Sequence, residues 1–192
     1  DYEKLAARIS INNHQKNTSL YFSDIVEKLW NCPGRPLIDK DIKEFVLSNK
    51  EEYDNIIVPT RDYNLNYFGF KTLQKSYLLK VNGKIVERPQ HLFLRVAIGI
   101  HGNNLESVKS TYNSLSEQYY THATPTLFNA GTQFPQMSSC FLIGTEDSVE
   151  GIFKTISDVA LISKWAGGVG IHVSNIRAKD SYISKTGGNS DG

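Results

Sequence analysis

The spacing of apolar residues divides the chain into a long helical stretch and a shorter stretch in which strand and helix alternate. Through most of the chain, apolar residues recur every three or four positions in several segments, which predicts about six amphipathic helices. Asn82 and Gly83 lie between two apolar runs, and this dipeptide favours the type I′ turn of a β-hairpin. Pro89 fits the first turn of the next helix, where His91 is expected to cap or pack rather than act as a base. Residues 1–136 are therefore predicted to form a helical region with one hairpin.

The remaining residues, 137–192, show a strand, a helix and a second strand. The short apolar run 140–143 predicts a buried strand. The segment 149–162 has the helical period, and 169–174 is again strand-like. The whole pattern predicts an α/β fold that is rich in helix.

The helix in this second stretch has a clear start and a wide apolar surface. Asp147 or Ser148 can cap it, and Glu150 can complete a capping box with Asp147. Apolar residues cover much of the circumference of the helix. We therefore expect it to be buried on two sides, against its own core and against another subunit.

Just before the first strand of this stretch, the chain contains a polar segment with few apolar residues. The segment 124–132 holds three threonines, an asparagine and a glycine, and its weak periodicity predicts an ordered loop. Loops on a rigid scaffold often carry function. On composition alone, ligand binding and plain turn chemistry remain equally good interpretations of this segment.

Charge and composition argue against several classes of partner. The chain has 21 basic and 20 acidic residues, so its net charge of +1 gives no general attraction for nucleic acid or an anionic membrane. No apolar run approaches the roughly 20 residues of a membrane helix, and no secretory signal is recognisable. The four aromatic residues within 63–70 have no basic residue among them, which favours core packing over base stacking.

The two cysteines, Cys32 and Cys140, lie far apart, and neither has a CxxC motif or a histidine pair beside it. No metal site or disulfide framework is predicted, and a reducing, cytoplasmic setting is favoured. Cys140 begins the strand-like run, where a cysteine is most often a small core residue. A redox role for it would need a partner thiol from outside this chain. The chain starts inside a helical pattern without an initiator Met and stops in a glycine-rich loop, so we expect a piece of a longer protein.

Glycines between the helix and the second strand suggest dinucleotide binding, but the order of the elements argues against it. That fingerprint needs a strand, then glycines, then a helix N-terminus, whereas Gly168 and Gly170 follow a helix. The glycines are expected to let a ligand or a neighbouring backbone approach closely. Beyond them, Arg177 can grip a phosphate with two N–H groups or belong to a solvated basic loop. Lys164 can simply complement the helix dipole.

Taken together, several motifs resemble the large (catalytic, alpha) subunit of class I ribonucleotide reductase of the eukaryotic type. The motifs lie, in chain order, at 66–72 (NYFGFKT), 87–91 (ERPQH), 121–132 (THATPTLFNAGT), 138–142 (SSCFL), 162–168 (ISKWAGG) and 187–192 (GGNSDG). The resemblance covers nearly the whole chain and implies a helical region that leads into a ten-stranded α/β barrel. It also implies that the ATP-cone domain that precedes this region is largely absent and that the chain is about a quarter of the subunit.

The resemblance implies reduction of ribonucleoside diphosphates to 2′-deoxyribonucleoside diphosphates. In this chemistry a thiyl radical abstracts the 3′ hydrogen, and a pair of cysteines supplies the reducing equivalents. Cys140 matches the first cysteine of that pair. Its partner and the radical cysteine fall outside this chain, so we expect the chain to be inactive by itself.

The resemblance also assigns two nucleotide sites. Thr124, Ser139 and Gly168 match positions that contact the substrate. The positions that match contacts of the specificity effector are Asp147, Ser148 and Val149 for its base and ribose, Lys164 and Arg177 as basic contacts, and Ser184 and Lys185 in a flexible loop.

The implied ligands and partners follow from the same family. ATP and deoxynucleoside triphosphates bind as allosteric effectors, with Mg²⁺ accompanying them, and the radical cofactor resides in a small partner subunit. The helix at 148–166 matches one that forms a homodimer, and the external reductant is of the thioredoxin or glutaredoxin type. The location is cytoplasmic, with neither nucleic acid nor membrane as partner. The alternative to this enzyme is a non-enzymatic nucleotide-binding or assembly module that keeps the effector site and the dimer helix.

Overall fold

The computed structural model describes residues 2–191, which form two compact units, one ending at Met137 and the other beginning at Ser138. The elements of the first unit are α1 (Tyr2–Lys16), α2 (Phe22–Trp30), α3 (Lys40–Ser48), α4 (Lys50–Asp54), a 3₁₀ turn (Pro59–Asn64), α5 (Tyr67–Thr72), a π-helical turn (Leu73–Tyr77), β1 (Lys80–Val81), β2 (Lys84–Ile85), α6 (Pro89–His101), α7 (Leu105–Ser116) and α8 (Thr124–Asn129). Those of the second unit are β3 (Cys140–Gly144), α9 (Val149–Lys164), β4 (Gly168–His172), β5 (Tyr182–Ile183) and β6 (Gly188–Asn189). The predicted helix-rich α/β fold is confirmed.

Helix α6 forms the centre of the first unit. Every residue from Pro89 to Ile98 is buried, because apolar side chains lie on nearly all sides of the helix and its polar residues have internal partners. His91 is one of these. Its Nδ1 accepts a hydrogen bond from the Arg88 N–H (3.1 Å), and its Nε2 lies 3.2 Å from Leu20 O. The prediction that His91 caps or packs is confirmed.

The β1–β2 hairpin forms at the predicted turn. Asn82 and Gly83 have φ values of 50° and 76°, as a type I′ turn requires. Lys80 pairs with Ile85 and Val81 with Lys84 in an antiparallel ladder.

The segment after α7 differs from its prediction. Residues 124–129 form the short helix α8 rather than a loop, with Pro125 in its first turn. Six residues are too few to show a helical period, and Leu127 is the only residue of α8 that is buried. Pro125 was the local indication of a helix start.

The prediction of core packing for the aromatic cluster is wrong for three of its four members. Phe70 is buried, where it meets His14 edge to face. Tyr63, Tyr67 and Phe68 are exposed, Phe68 by 78%. Because the helix at Tyr67–Thr72 is short and lies at the surface, only its Phe70 side reaches the core.

The second unit has the predicted strand–helix–strand order, and β3 and β4, which α9 connects, pair in parallel. The prediction that the first strand is buried is wrong for the described chain. Phe141 and Ile143 are half-buried, whereas Cys140 and Leu142 are exposed, Leu142 by 91%. Successive strand residues point to opposite faces, so β3 has one covered face and one open face.

Helix α9 also departs from its prediction. Ser148 is the cap, since its Oγ accepts a hydrogen bond from Gly151 N–H (3.0 Å), and the capping box with Glu150 is not adopted. Only Gly151 and Thr155 are buried along the helix. The two-sided burial is therefore absent within the described chain, and a row of apolar side chains is exposed: Val149, Ile152, Phe153, Ile156 and Leu161.

Within residues 2–191, none of the helices combines the length and the hydrophobicity that crossing a membrane requires.

Candidate functional site

Three of the predicted site residues meet where the two parallel strands begin. Cys140 is paired with Gly168 in the register of β3 and β4. The Gly168 N–H donates to Ser139 O at 2.7 Å, and Ser139 Oγ lies 3.8 Å from Cys140 Sγ. The Cys140 thiol is free and exposed. The strand pairing thus places an exposed thiol, a hydroxyl and a glycine backbone side by side.

Of the two glycines predicted to allow a close approach, Gly170 does so, since a Cβ there would lie 2.8 Å from Leu142 Cδ2, and the tightest packing is at the neighbouring Gly167. A Cβ at Gly167 would lie 2.5 Å from Ile162 Cγ2 and 2.9 Å from Phe141 Cε2, which is too close for a side chain. A Cβ at Gly168 would lie 3.4 Å from Ser139 O. The left-handed residue that ends the helix is Ala166, with φ 60°, rather than a glycine.

Four of the seven predicted effector residues lie at the start of α9. Asp147 and Ser148 lie in the turn between β3 and α9, and Val149 is the first residue of the helix. Arg177, which follows β4, donates from Nε to Asp147 Oδ2 at 2.7 Å. Positions 30 residues apart therefore form an ion pair beside a helix N-terminus, where backbone N–H groups and the helix dipole favour an anion.

The other predicted effector contacts lie elsewhere in this unit. Lys164 is in the last turn of α9, about 22 Å along the helix axis from Val149 at 1.5 Å per residue. Ser184 and Lys185 are exposed in the turn between β5 and β6. Within the described part of the chain, no hydrogen bond or ion pair joins these three residues to the Asp147–Arg177 pair. The structure therefore brings together only part of the predicted effector set.

Thr124, the remaining predicted substrate contact, belongs to the first unit. It is exposed, and its Oγ1 lies 3.0 Å from Tyr77 OH. It borders a largely apolar cavity of about 640 Å³ together with Tyr77, Leu127 and His122. Desolvation, followed by the charge of His101, lowers the pKa of His122. The His122 ring, which lines this cavity, is therefore neutral at physiological pH.

Sequence reasoning missed the polar framework under this region. Glu87 and Arg95 form a fully buried ion pair, with Arg95 Nε 2.6 Å from Glu87 Oε1. The arginine also donates to the carbonyl oxygens of Ala130 (2.6 Å) and Leu127 (3.4 Å). A single arginine within the apolar run 92–98, eight residues after a glutamate, was the pattern that pointed to this pair.

No group of three or more His, Cys, Asp or Glu side chains among residues 2–191 is arranged to hold a metal ion.

Comparison with known proteins gives consistent matches. Residues 63–135 match a family model described as ribonucleotide reductase, all-alpha domain, and residues 138–192 match ribonucleotide reductase, barrel domain. The chain is 54% identical to ribonucleoside-diphosphate reductase large chain 2 of Saccharomyces cerevisiae. It is 51% identical to the large subunit of Danio rerio and 50% to the large chain of Schizosaccharomyces pombe. Each alignment covers 100% of this chain but only 23%, 25% and 24% of the relative, so the chain spans about a quarter of their length.

Proposed function

Because this chain belongs to the ribonucleotide reductase large-subunit family, we propose that it is part of a ribonucleoside-diphosphate reductase. The enzyme reduces ribonucleoside diphosphates to 2′-deoxyribonucleoside diphosphates by thiyl-radical chemistry. The observation that carries the proposal is the pairing of Cys140 with Gly168, which sets an exposed thiol and the adjacent Ser139 hydroxyl beside a glycine backbone. The radical-generating cofactor belongs to a small partner subunit.

Cys140 supplies half of the reducing equivalents. Two cysteine thiols give up two electrons and two protons and become a disulfide. The 2′ carbon of the ribose is reduced, and its hydroxyl leaves as water. The second thiol and the radical cysteine come from parts of the enzyme outside residues 1–192, and a reductant of the thioredoxin or glutaredoxin type reopens the disulfide. An exposed Cys140 suits this exchange, since a thiol must be reached to be oxidised and reduced again.

The hydroxyl groups of Thr124 and Ser139 and the backbone at Gly168 bind the substrate. Hydroxyls and backbone N–H groups are good partners for the phosphate and ribose oxygens of a nucleoside diphosphate. Ser139 and Gly168 are already fixed to each other by the 2.7 Å backbone hydrogen bond. This part of the substrate site is therefore preorganised.

The start of α9 forms a specificity site for ATP or deoxynucleoside triphosphates. Asp147, Ser148 and Val149 hold the base and ribose, and Arg177 faces the phosphates together with Lys164, Ser184 and Lys185. The one carboxylate among these positions, Asp147, is already paired with Arg177. Mg²⁺ would therefore enter with the triphosphate, where it would neutralise phosphate charge.

The exposed apolar face of α9 forms a homodimer interface. A row of exposed apolar side chains along a 16-residue helix favours a second copy of the same helix. Antiparallel pairing about a two-fold axis would bring Lys164 of one copy near Asp147 of the other. Within one chain these effector residues lie at opposite ends of α9, and the dimer would bring them together.

The test uses the full-length large subunit with its small subunit and a thiol reductant. Cys140→Ser should abolish sustained turnover, because no disulfide can form at that position, while leaving deoxynucleoside triphosphate binding unchanged. Cys32→Ser is the matched control, since Cys32 is a free thiol whose Sγ contacts Arg35 O at 2.8 Å in a loop of the first unit. Normal cycling of Cys140→Ser would contradict the redox role. Effector binding without any turnover by the wild-type assembly would favour the non-enzymatic module.

A further inference from the structure

We propose that Tyr77 is a positioning residue that orients the Thr124 hydroxyl toward the substrate, within a frame set by the buried Glu87–Arg95 pair. This inference rests on the proposed function, which assigns Thr124 to the substrate site. The sequence motifs assign no role to Tyr77, Glu87 or Arg95.

The contact between the two side chains has a defined geometry. Tyr77 OH lies 3.0 Å from Thr124 Oγ1. The ring of Tyr77 is stacked on Phe128, with centroids 4.5 Å apart and planes inclined by 22°. Phe128 and Thr124 both belong to α8. The stack therefore fixes the phenol against the same helix that carries the threonine.

Hydrogen-bonding capacity explains what this contact does. A threonine hydroxyl has one proton to donate and two lone pairs to accept with. A phenol O–H is the more acidic of the two groups and is the better donor. When Tyr77 donates to Thr124, the threonine proton remains available for an oxygen of the substrate.

A single buried ion pair holds the backbone on both sides of the contact. The Leu79 N–H, two residues after Tyr77, donates to Glu87 Oε2 at 2.9 Å. The other oxygen of this carboxylate accepts from Arg95 Nε at 2.6 Å. The same guanidinium donates to the carbonyls of Leu127 and Ala130 at the end of α8. The Tyr77 and Thr124 segments are thus tied to one fully buried pair.

Close backbone packing leaves little room for this frame to shift. A Cβ at Gly99 would lie 2.3 Å from Gly131 N. Gly131 has φ +76°, and a Cβ there would lie 2.8 Å from both Arg95 Cγ and Arg95 O. The turn after α8 therefore lies directly on α6, and α8 cannot move away from Tyr77 without disrupting the core.

The central experiment is Tyr77→Phe in the full-length large subunit, assayed with its small subunit. Phenylalanine keeps the stack on Phe128 and removes only the hydroxyl. KM for a ribonucleoside diphosphate should rise about 3- to 10-fold, the range for loss of one hydrogen bond, with kcat within about twofold. Thr124→Val should raise KM similarly, Thr124→Ser should retain a low KM, and adding Tyr77→Phe to Thr124→Val should change nothing further.

The control is Tyr112→Phe. Tyr112 is a buried tyrosine whose hydroxyl donates to Gln90 Oε1 and accepts from Val58 N–H, both at 2.9 Å, with no contact to Thr124. This variant should lower the melting temperature and leave KM unchanged. An equal rise in KM for Tyr112→Phe would overturn the inference, because general loosening would explain both effects.

The remaining outcomes separate this inference from the proposed function. If Thr124→Val raises KM and Tyr77→Phe does not, the positioning role of Tyr77 is wrong and the substrate role of Thr124 stands. If neither variant changes KM, Thr124 is not a substrate contact and both assignments fail. Thermal unfolding of each variant checks that it is folded at the temperature at which KM is measured.

Discussion

Removing the charge of Arg95 should be among the most damaging single changes in the first unit. Arg95 and Glu87 are both fully buried, and the arginine makes two contacts to the carboxylate at 2.6 and 3.2 Å. It also satisfies the carbonyl oxygens of Ala130 and Leu127. Arg95→Met keeps an unbranched, apolar side chain in the same space and removes all four contacts.

The expected loss of unfolding free energy follows from the partners that Glu87 keeps in the variant. In Arg95→Met, the Glu87 carboxylate retains only the Leu79 N–H as a donor and has no counter-charge. Breaking a buried ion pair by removing one partner costs about 3–5 kcal/mol. With a urea m-value of about 2 kcal/mol/M, this loss lowers the unfolding midpoint by roughly 1.5–2.5 M. Such a loss is a large share of the 5–15 kcal/mol that stabilises a typical domain.

Fluorescence of Trp30 can report this unfolding selectively. The chain has two tryptophans, and Trp30 is packed against the core of the first unit. In a Trp165→Phe background, urea titrations of the wild type and of Arg95→Met therefore follow that unit alone. The double variant Glu87→Leu/Arg95→Met, which removes both charges, should recover at least half of the loss.

Lys40→Met provides the matched control. Lys40 also pairs with a glutamate, Glu44, but the pair is exposed at 71% and 53% and should contribute less than about 0.5 kcal/mol. A cost below about 1 kcal/mol for Arg95→Met would refute the reasoning, as would a double variant less stable than Arg95→Met itself.

Three further predictions concern other parts of the chain. Arg177→Ala in the full-length subunit should weaken deoxynucleoside triphosphate binding by about 1.5 kcal/mol, roughly tenfold, by isothermal titration. This binding free energy is at the lower end for a charge-assisted contact, because Arg177 is 34% exposed. Unchanged affinity would show that Arg177 belongs to a solvated loop and does not contact the effector. Ala166→Gly should stabilise the second unit by about 0.5–1 kcal/mol in thermal unfolding, since Ala166 has φ 60°, and a loss of stability would contradict this. Burial lowers the pKa of His91 to about 3, so the neutral ring contributes stability above about pH 6.5. That stability is lost at up to ~1.4 kcal/mol per pH unit as the pH falls toward 3. His91→Gln should flatten this slope in urea titrations, and an equally steep slope would show that other groups control it.

Features that depend on neighbouring residues were predictable from the sequence. The hairpin turn needs positive φ at two successive positions, and Asn82-Gly83 provides both. The helices that pack on the core show their apolar period directly, and the alternation after residue 137 gives the strand–helix–strand unit. Even locally, the sequence left two capping residues for α9 open, and the hydrogen bond from Gly151 to Ser148 decides between them.

Short or partly exposed elements were predicted less well. Helix α8 spans six residues, too few for a period, so its composition predicted a loop. The exposed faces of β3 and α9 are as apolar as buried faces. The same apolar side chains can pack in a core or in an interface with another chain, so composition alone does not separate the two. Burial depends on what lies opposite a residue, which its own sequence neighbourhood does not contain.

The sequence by itself determined the local elements and the motifs that identify the family. Only the tertiary structure decided which distant groups meet: Cys140 beside Gly168, Asp147 with Arg177, Glu87 with Arg95, and Tyr77 on Thr124. Helical periods and turn preferences act over a few residues, whereas these contacts join residues up to 47 positions apart. They form because parallel pairing, burial of charge and close packing each allow few arrangements, and those constraints act between elements rather than along the chain.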